Sequence, residues 1–368
     1  MRSHRFILST AKRMSTCVQL DSIFPMHILG SGSIGFLFAS GLQKVRGDGV
    51  TMLLRRHNKS RLNTHSTSST KYVTPFQVCR ASDKQISRKC DIPAEIIGDD
   101  INRDPINCLL VCTKANDAIP AIKSVWNRLD LQSNAKIIIL SNGALAIRDS
   151  IQSHFDCEHV QIITATTTHG AYTDQTLRKE SDSGGYNIVH AGNGLTYCTN
   201  KEFIDMCQGV GWKGSDLSEF DMNMMLWKKL AANCVINPLT AMHGVKNGQL
   251  LSLERTDETM TRILEELSST AVSEMEALAQ AKENVEAKEH AQRSIREEFS
   301  VNNLKNFVTK VMNDTSDNIS SMLQDVNAKR TTEVRFLNGY VARIGKEKYG
   351  IDCQWNADMC DKVEALQY

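Results

Sequence analysis

Residues 26–35 read MHILGSGSIG. A short apolar run enters a Gly-x-Gly-x-x-Gly turn, and residues 36–45 (FLFASGLQKV) continue with helical character. Strand, glycine turn and helix in that order are the context a dinucleotide-binding loop requires. Gly30 permits the tight turn, Gly32 lets backbone approach a pyrophosphate, and Gly35 allows close helix–strand packing. The free N–H groups of the helix start then face the phosphates. The expected cofactor loop is therefore Gly30, Ser31, Gly32, Ser33, Ile34 and Gly35.

The end of the next strand (residues 50–54, VTMLL) decides which dinucleotide. An NAD site usually has a carboxylate there for the ribose hydroxyls. This chain has Arg55 and Arg56, then His57 and Lys59. A guanidinium pairs bidentately with a 2′-phosphate, so NADPH is the expected cofactor. Further strands end in polar residues: CLLV runs into Cys112-Thr113-Lys114, KIIIL into Ser141-Asn142-Gly143, and QIITA into residues 166–171, TTTHGA. Ligands bind outside the carboxyl ends of such parallel strands. Lys114 and Asn142 are thus candidates for the crevice. Strands at 186–190 and 195–198, around a Gly192–Gly194 turn, should extend a doubly wound sheet.

Beyond residue 221 the strand signals stop. Residues 226–242, LWKKLAANCVINPLTAM, read as a buried helix, except that Lys229, Asn233 and Asn237 recur every four residues. At 3.6 residues per turn they span about 80° of arc. Polar groups on an inward face need partners, and a small-molecule cleft supplies them. Pro238 predicts a kink or break that would leave Asn237 at a helix edge. A charged helical stretch follows from 250 to about 299, of which 281–298 reads as a solvated helix or hairpin. Residues 313–344 read as the last long element, with Asp314, Thr315 or Ser316 as N-caps. The sequence therefore predicts an α/β chain: a leader at 1–24, a Rossmann-type doubly wound domain at 25–218 and an all-helical domain at 219–368.

Composition bounds the function. In 368 residues, 43 basic side chains against 42 acidic give a net charge of +1, which argues against electrostatic binding of nucleic acid. No apolar run is long enough to span a membrane. Eleven scattered cysteines without a CxxC pair suit reduced thiols better than disulfides or a metal site. The first 22 residues are basic and acid-poor before Asp21, as in a mitochondrial transit peptide, and equally suit a disordered tail. Cytoplasm is expected, or the mitochondrial matrix if the leader is a cleaved transit peptide. An inward lysine beside a nicotinamide suits carbonyl reduction, where a developing alkoxide needs a proton and nearby positive charge.

These motifs together resemble the ketopantoate reductase (2-dehydropantoate 2-reductase) family. The resemblance covers about residues 26–363 and rests on GSGSIG, VCTKA, SNG, TTTHGA, LWKKLAANCVINPLTA, the NG at 247–248, NISSMLQD and RTTE. It implies NADPH-dependent reduction of 2-dehydropantoate to (R)-pantoate, a helical domain like the C-terminal domain of 6-phosphogluconate dehydrogenase, and a monomer or homodimer. It assigns the general acid to Lys229 rather than Lys228, with Glu333 near the nicotinamide and positioning that lysine. Asn142, Asn233, Asn237, Asn247, Asn318 and Ser321 would hold substrate, and Arg55, Lys114, Asn142 and the Ala171 backbone the cofactor. A related reductase of another branched 2-oxo or β-hydroxy acid, or a silent NADPH-binding sensor, would share the scaffold.

Overall fold

The structure, a computed structural model, describes residues 23–64, 72–99, 104–174, 186–192, 194–280 and 285–367. The predicted leader, apart from its last two residues, lies outside the described residues, as do parts of the Gly192–Gly194 turn and of the charged stretch near 281.

The first half alternates strands and helices. In chain order they are β1 (Met26–Leu29), α1 (Ser33–Arg46), β2 (Val50–Leu54), β3 (Asn63–Thr64), β4 (Tyr72–Arg80), β5 (Ile86–Ile96), β6 (Cys108–Val111), α2 (Ala115–Lys123), β7 (Ala135–Ile139), α3 (Ala144–His154), β8 (Val160–Thr167), β9 (Gly170–Thr173), β10 (Tyr186–Gly192), β11 (Leu195–Cys198), α4 (Lys201–Gly209) and β12 (Lys213–Asp216). The second half is helical: α5 (Glu219–His243), α6 (Thr256–Ala279), α7 (Val285–Glu298), α8 (Val301–Asp314), α9 (Ser321–Asn327), α10 (Asn338–Tyr349) and α11 (Gln354–Glu364).

The strands form one sheet in the order β12-β11-β8-β7-β6-β1-β2-β5-β4-β10-β9, with β3 beside β4. Its centre, from β8 through β1 to β5, is parallel, and β1 lies between β2 and β6. The order reverses at β1, so the switch-point crevice opens beyond Leu29 and Val111. Continuous apolar runs build these strands because both faces are covered. β1, β2 and β6 are buried along their whole length.

The two strands after β3 are long antiparallel arms, and alternate inward and outward residues let β5 run for eleven residues. Two expectations are corrected. β10 and β11 do extend the sheet, but at opposite ends, β10 beside β4 and β11 beside β8. Gly194 lies tight against the turn between β8 and β9, where an added Cβ would lie 2.1 Å from the His169 nitrogen. Residues 313–344 are not one helix. α8 ends at Asp314, where the Thr315 hydroxyl donates to the Val311 carbonyl at 2.6 Å, and α9 restarts at Ser320, whose Oγ accepts from the Leu323 amide.

The helix α5 anchors the second half. Ser218 caps its start, Gly244 ends it in the left-handed conformation at φ 66°, and its central residues are buried almost all round. Of the kink or break expected at Pro238, the break does not occur. The helix runs through it, and the Cys234 carbonyl that Pro238 cannot serve accepts instead from Asn338 Nδ2 at 2.9 Å.

Candidate active site

The dinucleotide loop has the local geometry its glycines predict. Gly30 adopts φ 125°, and a Cβ there would lie 2.7 Å from the Cys112 carbonyl carbon. At Gly35 a Cβ would collide with the Gly30 carbonyl oxygen at 2.1 Å. Gly32 caps α1 without a side-chain bond, and the first turn holds no acidic residue. The amides at Ser33, Ile34 and Gly35 are therefore left for an anion. Ile34 packs its side chain on the core, and the Ser33 hydroxyl lies 3.1 Å from that of Thr173 on β9. Ala171 sits on the same strand, paired with His190.

A groove of about 650 Å³ opens beside this loop, lined by Gly30, Ser31, Gly32, Arg55, Arg56 and Lys114 among others. Arg55 pairs with Asp117 at 2.9 Å, both side chains about half exposed at 53% and 49%. Arg56 also lines the groove and donates to the Gly98 carbonyl at 2.8 Å. Both guanidinium groups are thus solvated cations on the groove wall, with side chains 53% and 72% exposed. The collection of free amides, cradle glycines and cations fits a nicotinamide dinucleotide.

The second half closes on this groove through residues just past the strand ends. Lys114 pairs with Asp325 of α9, whose carboxylate also accepts from Arg330 Nε at 3.0 Å. The side chain of Asn116 donates to the Thr332 carbonyl at 2.8 Å. Glu333 accepts from the Ala115 amide at 2.7 Å, a carboxylate at the start of α2. Burial raises the Glu333 pKa, while the Ala115 amide, Lys114 and the Asn142 side chain oppose that rise.

Lys229 lies across from these groups. Its ammonium donates to Thr166 Oγ1 at 2.8 Å and the Thr167 carbonyl at 3.2 Å, both at the end of β8. Burial pulls its pKa down to about 8, with Glu333 acting the other way. No hydrogen bond joins Glu333 to Lys229, so the expected positioning contact is corrected to an influence through charge alone. The neighbouring Lys228 points elsewhere, to Glu298 at 2.7 Å and over the Phe307 ring. The one-residue step along a helix separates a cleft lysine from a surface lysine.

A cavity of about 20 Å³ adjoins Lys229, lined by Ser141, Asn142, Thr166, Leu226, Asn233 and Tyr340 among others. That is room for about one water. Lys229, Asn142 and Asn233 are therefore brought together as expected. Asn237 is buried on the same helix but does not line this cavity. Asn247 is buried nearer α8, where its Nδ2 donates to Thr315 and its Oδ1 has no partner. Its amide also donates to the Asn318 carbonyl, so those two residues meet through backbone. Asn318 and Ser321 have exposed side chains away from the cavity, because Ser320 takes the buried capping position.

Sequence reasoning missed Thr166, Asp325, Arg330, Phe336 and Tyr340. A hydroxyl at a strand end and a carboxylate in a charged run carried no signal of their partners in the other half. Among the described residues no cluster of His, Cys, Asp and Glu could hold a metal, the ten cysteines are unpaired, and no helix is long and apolar enough to cross a membrane.

Comparisons with known proteins show the family and the fold. The family described as ketopantoate reductase PanE/ApbA matches residues 26–200, and its C-terminal part matches residues 221–367. A 2-dehydropantoate 2-reductase of Vibrio cholerae is 30% identical over 295 residues, covering 78% of this chain and 88% of the relative. A PanE/ApbA family ketopantoate reductase of Ralstonia eutropha has a similar structure, with a TM-score of 0.68, 17% identity, and coverage of 93% and 98%. A D-mandelate dehydrogenase in complex with NADH and anilino(oxo)acetate gives 0.65 at 16% identity, with the same coverage.

Proposed function

The chain belongs to the ketopantoate reductase family, and from that premise we propose that it catalyses the NADPH-dependent reduction of 2-dehydropantoate to (R)-pantoate. The observation that carries the reading is Lys229, a lysine drawn towards neutrality on the wall of a cavity shared with Asn142 and Asn233.

Bound NADPH supplies the hydride for the C2 ketone. Lys229 gives the forming alkoxide its proton, leaving a neutral amine that water reprotonates. Its positive charge stabilises the developing oxyanion before the proton moves. Thr166 and the Thr167 carbonyl hold the ammonium in place. Asn233 offers an amide one turn along α5, while Asn237, Asn247, Asn318 and Ser321 are assigned to substrate on the resemblance alone. Leu226, Leu230 and Phe336 supply an apolar wall for the branched carbon.

On the cofactor side, Arg55 would exchange Asp117 for the 2′-phosphate, and Lys114 reaches the groove from the end of β6. Asn142 borders both the Lys229 cavity and the Glu333 carboxylate, which suits an amide facing the nicotinamide. The cavity holds only about a water, so it must widen for a substrate to bind beside Lys229. The test is loss of NADPH absorbance on adding 2-dehydropantoate, beside a panel of other branched 2-oxo acids. Faster turnover of another acid would reassign the substrate; no turnover of any would refute the enzyme.

A further inference from the structure

Pro238 stands inside α5 between the segment carrying Lys229 and Asn233 and the segment leading to Asn247. A proline there removes one backbone donor and pushes its ring at the carbonyl four residues back, which bends or breaks most helices. The helix nevertheless continues to His243. The compensation comes from Asn338 at the start of α10. Its Nδ2 donates to the freed Cys234 carbonyl at 2.9 Å and to Asn356 Oδ1 at 3.1 Å. Both asparagines are fully buried.

The orientation of this pair is determined by what surrounds it. Asn356 Nδ2 donates to Glu266 Oε2 at 2.8 Å and to the Ile263 carbonyl at 3.2 Å, two groups that only accept. Its oxygen must therefore face Asn338. Asn338 then has an acceptor on each of two sides and must present its amine to both. The Glu266 carboxylate is itself tied down by the Trp355 and Asn356 amides at 2.8 and 2.9 Å. This chain of polar contacts runs from α6 through α11 to the middle of α5. Asn338 Oδ1 is buried without a partner, a cost accepted so that both amine hydrogens are placed.

We infer that Asn338 is a positioning residue, a side-chain substitute for the backbone donor Pro238 lacks, which fixes the course of α5 from Lys229 to Asn237 and the turn that leads to Asn247. It touches neither substrate nor cofactor and acts only through α5. Lys229 lies upstream of the proline, whereas Asn237 and the turn to Asn247 lie at and beyond it. Loss of the peg should therefore disturb the oxo-acid side of the site and spare the proton donor. The inference rests on the proposed reductase site.

The test compares Asn338→Ala, Pro238→Ala and the double variant, because alanine at 238 restores the helical donor to Cys234. In Asn338→Ala the KM for 2-dehydropantoate should rise about tenfold, with NADPH affinity and the alkaline pKa of kcat/KM unchanged. In the double variant KM should return to within about threefold of wild type, as only the peg's substitute is needed. Hydrogen exchange across residues 234–243 should accelerate in Asn338→Ala and slow again in the double variant. An unchanged KM in Asn338→Ala, or a double variant that regains protection but not KM, would overturn the inference. Should Asn338→Ala fail to fold, Pro238→Ala and the double variant must agree within about threefold, and a larger gap counts against it. A wild-type protein that turns over no oxo acid defeats the functional reading instead, and the exchange pattern still decides whether Asn338 holds the helix.

Discussion

Replacing Lys229 by alanine tests the proton donor directly, and the structure states what should change. The ammonium has a pKa near 8, so it is about nine-tenths protonated at pH 7 and about one-tenth at pH 9. Reduction needs the protonated form. The kcat/KM of the wild type should therefore be level below pH 7 and fall tenfold per unit once pH passes about 8. Removing a positioned donor costs about 10²–10⁴ in rate. That corresponds to about 2.7–5.4 kcal/mol of transition-state stabilisation. Lys229→Ala should show that loss, no longer follow the alkaline limb, and bind NADPH with near-normal affinity because the groove lies in the other half. Stability moves in the opposite direction. A lysine whose pKa is depressed by folding opposes the fold at neutral pH and ceases to do so as pH rises through its unfolded value. Lys229→Met should consequently match or exceed the wild-type Tm at pH 7. Lys228→Ala is the control: its ion pair with Glu298 is half-exposed and worth about 0–1 kcal/mol, so turnover should be kept. Stopped-flow or steady-state NADPH oxidation from pH 6 to 10 provides the readout. A Lys229→Ala enzyme within tenfold of wild type, or one retaining the limb near pH 8, would refute the assignment.

Three further outcomes follow from the same geometry. Glu333→Gln keeps a hydrogen-bond acceptor for the Ala115 amide but removes the charge that holds the Lys229 pKa up, so the alkaline limb should move below about 8; a limb that stays or rises rejects that coupling. Gly30→Ala forces a side chain into a φ of 125° and against the Cys112 carbonyl, and fluorescence titration should show NADPH affinity reduced by tenfold or more. Arg55→Ala should weaken NADPH about tenfold to a hundredfold while leaving NADH nearly unchanged, the span of one charge-assisted bond. Equal weakening of both nucleotides would remove Arg55 from the 2′-phosphate.

Much of this was legible in the chain because it is local. A glycine turn between an apolar run and a helix specifies its own backbone, and β1, α1 and β2 stand where that pattern requires. The four-residue spacing of Lys229 and Asn233 gives a shared helix face from geometry alone, and both line one cavity. Pro238 shows where local reasoning ends. Its helix-breaking tendency is a property of one residue, but the Asn338 amide that cancels it arrives from a hundred residues downstream. The same holds for Ser320 and Ser321. Two adjacent serines look alike in sequence, and only the contact of Thr240 Oγ1 with Ser320 at 2.6 Å identifies the buried one. The separation of β10 from β11 likewise depends on which sheet edge is vacant, a fact of the whole sheet.

The distance kept between Glu333 and Lys229 bears on the chemistry. Burying an ammonium is costly, and a direct carboxylate partner would be the simplest compensation. Such a pair would also favour the charged form and raise the lysine pKa, making it a poorer acid near neutrality. Here the compensation at short range comes from neutral acceptors, Thr166 and the Thr167 carbonyl. Glu333 accepts from the Ala115 amide, and reaches Lys229 only through its field. The ammonium is thus held in place by neutral acceptors, and its charged form is favoured by a carboxylate that does not touch it. A donor poised near 8 needs both conditions together. That carboxylate is also one of the groups that tie the start of α2 to the helical half, beside Lys114–Asp325 and Asn116–Thr332.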